Sequence, residues 1–297
     1  MSHPRAVSLM ILATLLWSIA GVVTRQLDGA RSFEVTFWRS FFNVLALVIA
    51  LTIMRGPGAW RTLLQARWPV WISGLCWALM YTAFMVAITM TSVANVLVMI
   101  ALGPLVTALF SRLFLGHRLP LRTWLAILLA ACGIGWMYGK EAFSGVSLAG
   151  TLVACVVPVA AASNWIVLQF VASRPHSEGG EDDMMPSVLI GAVLSALATL
   201  PAACPLQASL HDIGLLAMLG VVQLAIPCLI VVRLSRDLLA AEISLYNLLE
   251  VVFGVTWAWL WGGEVPSAAT LMGGSLVVLA LALNEILGLR QRRLISC

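Results

Sequence analysis

The sequence predicts an all-α polytopic membrane protein of ten transmembrane helices, built as two inverted five-helix repeats with both termini in the cytoplasm. Three observations carry this. Of 297 residues, 61% are apolar and only 10% charged, with a mean hydropathy of +1.00. A soluble domain averages roughly 45–50% apolar and about 25% charged residues, and could not hide so much apolar surface beneath a polar skin. The apolar residues also gather into ten long runs, and two stretches from the two halves align at constant spacing.

The ten runs are 6–25, 33–54, 69–90, 93–115, 120–139, 148–172, 184–203, 213–233, 238–261 and 267–288. Each is near the ~20 residues that a helix needs to cross a ~30 Å hydrocarbon core. They are apolar all round, as expected where lipid replaces water. A β-barrel is excluded, because the runs are about twice the length of a tilted membrane strand. The first run lacks a small-residue cleavage site and is too long for a signal-peptide core, so it is expected to be retained.

Basic residues set the orientation. With the N-terminus inside, thirteen arginines fall on the cytoplasmic side, from Arg5 through Arg55, Arg61 and Arg67 to Arg290, Arg292 and Arg293. Only Arg25, Arg31 and Lys140 fall outside, and Arg39 lies within the second run. Such asymmetry places both termini in the cytoplasm. The net charge of +4 then reflects topology and anionic lipid, and no nucleic-acid partner is expected.

Chemistry-bearing motifs are absent. There is no phosphate-binding loop, no HExxH, no GxSxG and no dinucleotide fingerprint. The six cysteines, Cys76, Cys132, Cys155, Cys204, Cys228 and Cys297, make no metal-spacing pair and read as small packing residues. No cofactor or metal is expected. An integral-membrane enzyme would want clustered Asp, His or Glu in an interfacial loop, and the loops here are short; the protein reads as no enzyme. The acidic run Glu181-Asp182-Asp183 reads as a solvated cytoplasmic connector.

The duplication is visible when ALGPLVTALFSRLFLGHRLP (101–120) is set above NLLEVVFGVTWAWLWGGEVP (247–266). At an offset of 146, Gly116 meets Gly262 and Pro120 meets Pro266. Upstream, LLWSIAGVVTR (15–25) pairs with NWIVLQFVASR (164–174), aligning Trp17 with Trp165. The halves are therefore 1–145 and 146–297, five runs each. An odd number forces the second to cross the membrane upside down, as in secondary transporters whose substrate site lies near the midplane.

Trp17-Ser18 in the first run, Arg39 in FWRSFF, LGPLVTALFSRLFLG in the fourth run, and WLWGGEVP with Glu264 after the ninth together resemble the drug/metabolite transporter superfamily. The likeness is to its ten-helix EamA-type exporters, over essentially the whole chain. Two departures stand out. His117-Arg118 replaces the family's usual Gly-Glu, and Glu250 stands where Pro104 stands in the first half. The resemblance implies a secondary transporter in the bacterial inner membrane that exports small metabolites by alternating access. Amino acids are favoured, aromatic or hydrophobic ones first. The alternative is a carrier of phosphorylated sugars or nucleotide-sugars, which would need midplane Lys or Arg. Arg39 is the sole basic residue within a run.

Polar and aromatic residues sharing helix faces nominate the substrate site. The candidates are Trp17, Trp77, Tyr81, Asn95, Met99, Trp165, Tyr246, Asn247 and Glu250. Glu242, Tyr246 and Glu250 lie at i+4 steps, as do Trp77, Tyr81 and Met85. Aromatic rings and methionine suit an apolar side chain; Asn and Glu suit an ammonium group. Other tryptophans, Trp38, Trp60, Trp68, Trp71, Trp124, Trp136 and Trp261, sit at run ends as interfacial belts. Pro104 and Pro158 are expected to kink their helices. Gly135 and Gly139, with Gly273-Gly274, are expected to let helices 5 and 10 pack closely. Arg39 is expected to pair with Glu34 or a helix end. Glu250, mid-run, cannot face lipid at several kcal/mol. Three readings stand for it: ammonium site, proton relay, or neutral structural acid.

Overall fold

The computed structural model describes residues 1–29, 32–56, 63, 66–91, 93–116, 119–142, 147–173, 183–261 and 267–295. Among these there are helices and no strand. The helices are α1 (His3–Ser18), α2 (Ala20–Thr24), α3 (Ser32–Arg55), α4 (Trp68–Met90), α5 (Val93–Ile100), α6 (Gly103–Phe114), α7 (Leu121–Ala142) and α8 (Leu148–Ala172). They continue as α9 (Met185–Ala203), α10 (Leu210–Met218), a π-helical segment (Leu219–Ala225), α11 (Ile226–Leu234), α12 (Ala240–Asn247), α13 (Leu249–Leu260) and α14 (Ala268–Ile295). Seven rods are long and apolar enough to cross a membrane, and Leu121–Met137 and Ala268–Asn284 are shorter apolar stretches.

Polarity is turned inside out relative to a soluble protein. Ile53 (79% exposed), Leu121 and Leu148 (74% each) point outward, while Thr14, Arg39, Ser40, Asn43, Ser73, Asn164 and Gln223 are buried. With hydrocarbon outside, apolar side chains lose nothing there and polar ones must find partners within.

Several rods are broken. Pro104 has no N–H and begins α6, so it starts a new helix where a kink was expected. The turn before it is tightened by a Leu102 N–H to Met99 carbonyl bond of 3.1 Å. A second break falls at Leu248, where Leu248 N–H donates to Leu245 at 3.2 Å. A third, at Ile19, separates α1 from α2. Pro158 lies inside α8 without ending it.

The packing partners follow from these rods. α4 packs on α8 and α9, and α3 packs on α9 and the π-segment. α1 packs on α11 and α13, α6 on α8 and α12, and α7 on α14. Small residues permit the tightest crossings. A Cβ on Gly74 would meet Ile190 Cγ2 at 2.5 Å, and one on Gly220 would meet Phe42 Cβ at 2.6 Å and Asn43 N at 2.9 Å. The α7–α14 crossing uses Gly133 and Gly273, since a Cβ on Gly133 would lie 2.7 Å from the Gly273 carbonyl oxygen. The expectation of Gly135, Gly139 and Gly274 at this crossing is corrected: none has a neighbour within 4 Å of an added Cβ. Helix rotation presents the other face, with Gly133 and Met137 of α7 against Gly273.

Two buried carboxylates join the connections at one end. Glu34 Oε1 accepts from the N–H groups of Gln207 and Ala208 at 2.7 Å each, and from Trp38 Nε1 at 3.4 Å. Asp212 accepts from Asp28 N–H at 2.8 Å and Gly29 N–H at 3.2 Å, and forms a capping box with Ser209. The opposite ends of α1 and α11 are held by ion pairs: the Met1 ammonium to Asp237 at 2.8 Å, and Arg233 to Asp237 at 3.9 Å. Arg55 pairs with Asp183 at 3.0 Å; Glu181 and Asp182 lie outside the described residues. So do His117, Arg118, Gly262, Glu264, Pro266, Arg31, Trp60, Arg61, Arg174 and Cys297.

Candidate functional site

The breaks expose polar backbone in the middle of the bundle, and side chains from several helices gather around it. Beside the break at Ile19, Gln223 Nε2 of the π-segment donates to the Trp17 carbonyl at 3.2 Å. Ser18 Oγ donates to the Leu15 carbonyl at 2.7 Å and accepts from Trp257 Nε1 at 2.8 Å. A π-segment widens the helix by one residue per turn and often sits at functional sites. Here it places Gln223 against α1 and Gly220 against α3.

Next to this seam is an aromatic group. Trp77 stacks on Tyr81 with centroids 5.7 Å apart, and meets the edge of Trp165 at 5.5 Å. The Tyr81 hydroxyl lies 3.2 Å from Cys228 Sγ, with Asn43 beside it. Trp17 also lies against Cys228. Trp17, Trp77, Tyr81 and Trp165 are each at most 8% exposed. Such faces fit a flat or aliphatic side chain.

Charge enters from two sides. The Arg39 guanidinium on α3 is 4% exposed. Tyr81, Cys228 and Glu250 are its electrostatic neighbours. Among the described residues no direct ion pair joins Arg39 to Glu250, and Arg39 Nε has no hydrogen-bond partner. The expected Arg39–Glu34 pair is corrected: Glu34 is turned to the 207–208 backbone instead. Backbone donors converge on that carboxylate, which a spacing of five residues in the sequence cannot reveal.

Other polar atoms in this region are likewise buried and unpartnered: Trp77 Nε1, Trp165 Nε1, Asn164 Nδ2, Gln223 Oε1 and Asn247 Oδ1. Buried polar groups are normally paired, and each orphan costs about 1–3 kcal/mol. Trp77 Nε1 and Trp165 Nε1 belong to the aromatic group, and Asn247 Oδ1 lies at the α12–α13 break.

The sequence candidates divide accordingly. Trp17, Trp77, Tyr81, Trp165 and Glu250 come together. Tyr246 is buried in the same core, and Asn247 ends α12 at the break. Asn95 and Met99 lie elsewhere. Asn95 donates to Thr151 Oγ1 at 2.7 Å, and Met99 accepts from Cys155 Sγ at 3.7 Å, in a cluster with Ala87, Val96 and Ala154. The face of Glu242, Tyr246 and Glu250 is interrupted at Leu248. Glu242 caps Leu239 N–H at 3.1 Å and lies 3.5 Å from His3 Nε2, at the helix end. Sequence reasoning missed Asn43, Gln223 and Trp257, and took Cys228 for packing alone. A lone Gln within an apolar run was the available signal.

A bundle of apolar rods with a polar, aromatic interior and broken helices is the architecture of a multi-pass membrane protein. Residues 4–139 match the EamA-like transporter family. That match spans under half of the chain, and with the relatives below it makes the chain similar to the drug/metabolite transporter superfamily. Over 279 residues it is 26% identical to the pseudopaline exporter CntI of Pseudomonas aeruginosa (strain UCBPP-PA14), covering 92% of this chain and 93% of that one. An uncharacterized transporter of Vibrio cholerae serotype O1 is 29% identical over 140 residues, 44% of each chain. A solved crystal structure aligns with a TM-score of 0.80 at 21% identity, covering 96% of this chain and 99% of the other, and shows the same fold.

Proposed function

We propose that the protein is a secondary transporter exporting small amino-acid-like metabolites, aromatic or hydrophobic ones first, across the bacterial inner membrane by alternating access. The observation that carries this reading is the mid-bundle group in which an aromatic wall of Trp17, Trp77, Tyr81 and Trp165 adjoins Arg39 and Glu250. An apolar surface beside one cation and one anion matches an amino acid in shape and charge. A phosphorylated substrate fits less well, because Glu250 would oppose a dianion at the single guanidinium. Export as the direction is supported by the relative, an exporter by name.

Ten spans as two inverted halves, 1–145 and 146–297, with cytoplasmic termini, are part of this reading. Three features support it. The helix breaks at Leu102 and Leu248 are separated by the same 146 residues as the sequence repeat, and so are the crossing glycines Gly74 and Gly220. Packing partners also exchange: where the third run meets the sixth and seventh, the eighth meets the first and second. Reporter fusions after residues 145 and 205 should read periplasmic, and those after 60 and 178 cytoplasmic. Opposite readings at two sites would sink the topology.

The function is tested by counterflow in proteoliposomes. Purified protein loaded with unlabelled phenylalanine or leucine should accumulate the radiolabelled amino acid above empty vesicles. If neither these nor other neutral amino acids move, the amino-acid reading fails.

A further inference from the structure

We infer that Arg39 is the anchor for the substrate's carboxylate, set opposite Glu250 for its ammonium, so that the site selects molecules carrying both charges at once. The inference rests on the proposed transport of amino-acid-like metabolites and names the group within that site which reads the acid.

Three observations lead to it. Arg39 is buried mid-helix, yet its sequence neighbour of opposite charge, Glu34, is engaged by the backbone of Gln207 and Ala208. Its electrostatic neighbour Glu250 makes no direct pair with it, and Arg39 Nε lacks any hydrogen bond. A buried guanidinium left in this condition is strongly disfavoured, and an anion that arrives with the substrate offsets the penalty. The scaffold also holds Arg39 still. The π-segment glycine, Gly220, presses on α3 so closely that an added Cβ would lie 2.7 Å from the Arg39 carbonyl oxygen. On the same helix, Ser40 Oγ donates to Ser195 Oγ at 3.2 Å.

The chemistry selects a carboxylate. A guanidinium presents parallel N–H donors that match the two oxygens of a carboxylate. One positive charge balances one negative charge. Glu250, with Asn247 near it in sequence, then meets the ammonium, and the Trp77–Tyr81 stack adjoins the side chain. With no substrate bound, the two charges interact electrostatically without a direct ion pair. A zwitterion replaces that interaction with two shorter ones, which gives discrimination against molecules that bear only one charge.

Competition against radiolabelled phenylalanine counterflow tests this, with unlabelled phenylalanine, phenylalaninamide (no carboxylate) and 3-phenylpropionate (no ammonium) as competitors. The parent protein should prefer phenylalanine to the amide by roughly 10- to 100-fold. In Arg39→Gln that preference should collapse toward unity while the preference over 3-phenylpropionate persists; in Glu250→Gln the pattern should reverse. Ligand-induced shifts of the thermal midpoint in detergent give the same ratios where transport is slow. Arg39→Lys, which keeps charge but loses the paired donors, should reduce the amide discrimination several-fold and provides the test if Arg39→Gln does not fold. An amide that competes as well as phenylalanine in the parent overturns the inference while leaving amino-acid transport intact. Undiminished discrimination in Arg39→Gln, or in Arg39→Lys, overturns it too. Failure of every amino acid to move in the parent overturns the transport reading itself.

Discussion

The buried carboxylates Glu34 and Asp212 and the charged pair of buried Arg39 and half-buried Glu250 solve one problem in opposite ways. Glu34 Oε1 collects three donors and Asp212 ties down the backbone of residues 28 and 29. Each grips the connection preceding the other's helix, a reciprocal clasp between the segments before α3 and α10. Arg39 is buried to a similar degree, but neither an ion pair nor a hydrogen bond satisfies its Nε. Glu34 Oε2 is itself without a hydrogen-bond partner, so the difference lies in the backbone donors that Glu34 Oε1 and Asp212 collect and that have no counterpart at Arg39 Nε. Carboxylates that collect backbone donors hold connections of the fold, and in the proposed reading Arg39 is left to meet a ligand.

The largest effect is expected at the clasp. Glu34→Ala or Asp212→Ala leaves two or more backbone N–H groups unpaired, for a loss of about 3 kcal/mol at about 1–3 kcal/mol each. The thermal midpoint in detergent should fall by several degrees, while any remaining activity keeps the parent's substrate preference. An unmoved midpoint would break the contrast at its structural pole.

Glu250→Gln probes the other pole and separates the three readings of that residue. An ammonium site predicts weaker apparent affinity by about 1.5–3 kcal/mol with the thermal midpoint preserved. A proton relay predicts loss of transport driven by a pH gradient while counterflow survives. If neither affinity nor pH-gradient dependence changes, Glu250 is structural and belongs with Glu34 and Asp212.

The contrast between closed and open construction extends to the glycines. Gly273→Val should lower the thermal midpoint by the equivalent of about 1–3 kcal/mol, because the α7 backbone at Gly133 lies against it. Gly135→Val, facing open space, should leave the midpoint where it was. Equal losses in both would show that the helix rotation described above is wrong.

The smallest effect is expected at the far end. Asp237→Asn removes the partner of the Met1 ammonium and of Arg233, pairs with side chains between 15% and 55% exposed. Such pairs contribute about 0–1 kcal/mol and weaken with salt. A midpoint change above that, insensitive to ionic strength, would mean this end is as firmly clasped as the other.

Much of this was legible from residue order alone. Hydropathy adds up locally, so the membrane class and the apolar rods follow from runs of residues whatever their partners. The missing N–H of Pro104 marked a disturbed helix, expected as a kink and found as a break, and Glu250 was marked by the high free energy of charge within an apolar run. What only the tertiary structure decided is which atoms meet. Asn95 and Met99 were nominated alongside Tyr81, yet they meet Thr151 and Cys155. Gly133 replaced Gly135 at the α7–α14 crossing, and Arg39 lost Glu34 to backbone donors more than 160 residues away in sequence. Cys228 became a neighbour of Tyr81 although 147 residues separate them. In an all-apolar rod every face satisfies lipid equally well, so the sequence carries little signal about rotation. Helix rotation is set by the few close crossings and buried hydrogen bonds that exist only once the rods have assembled.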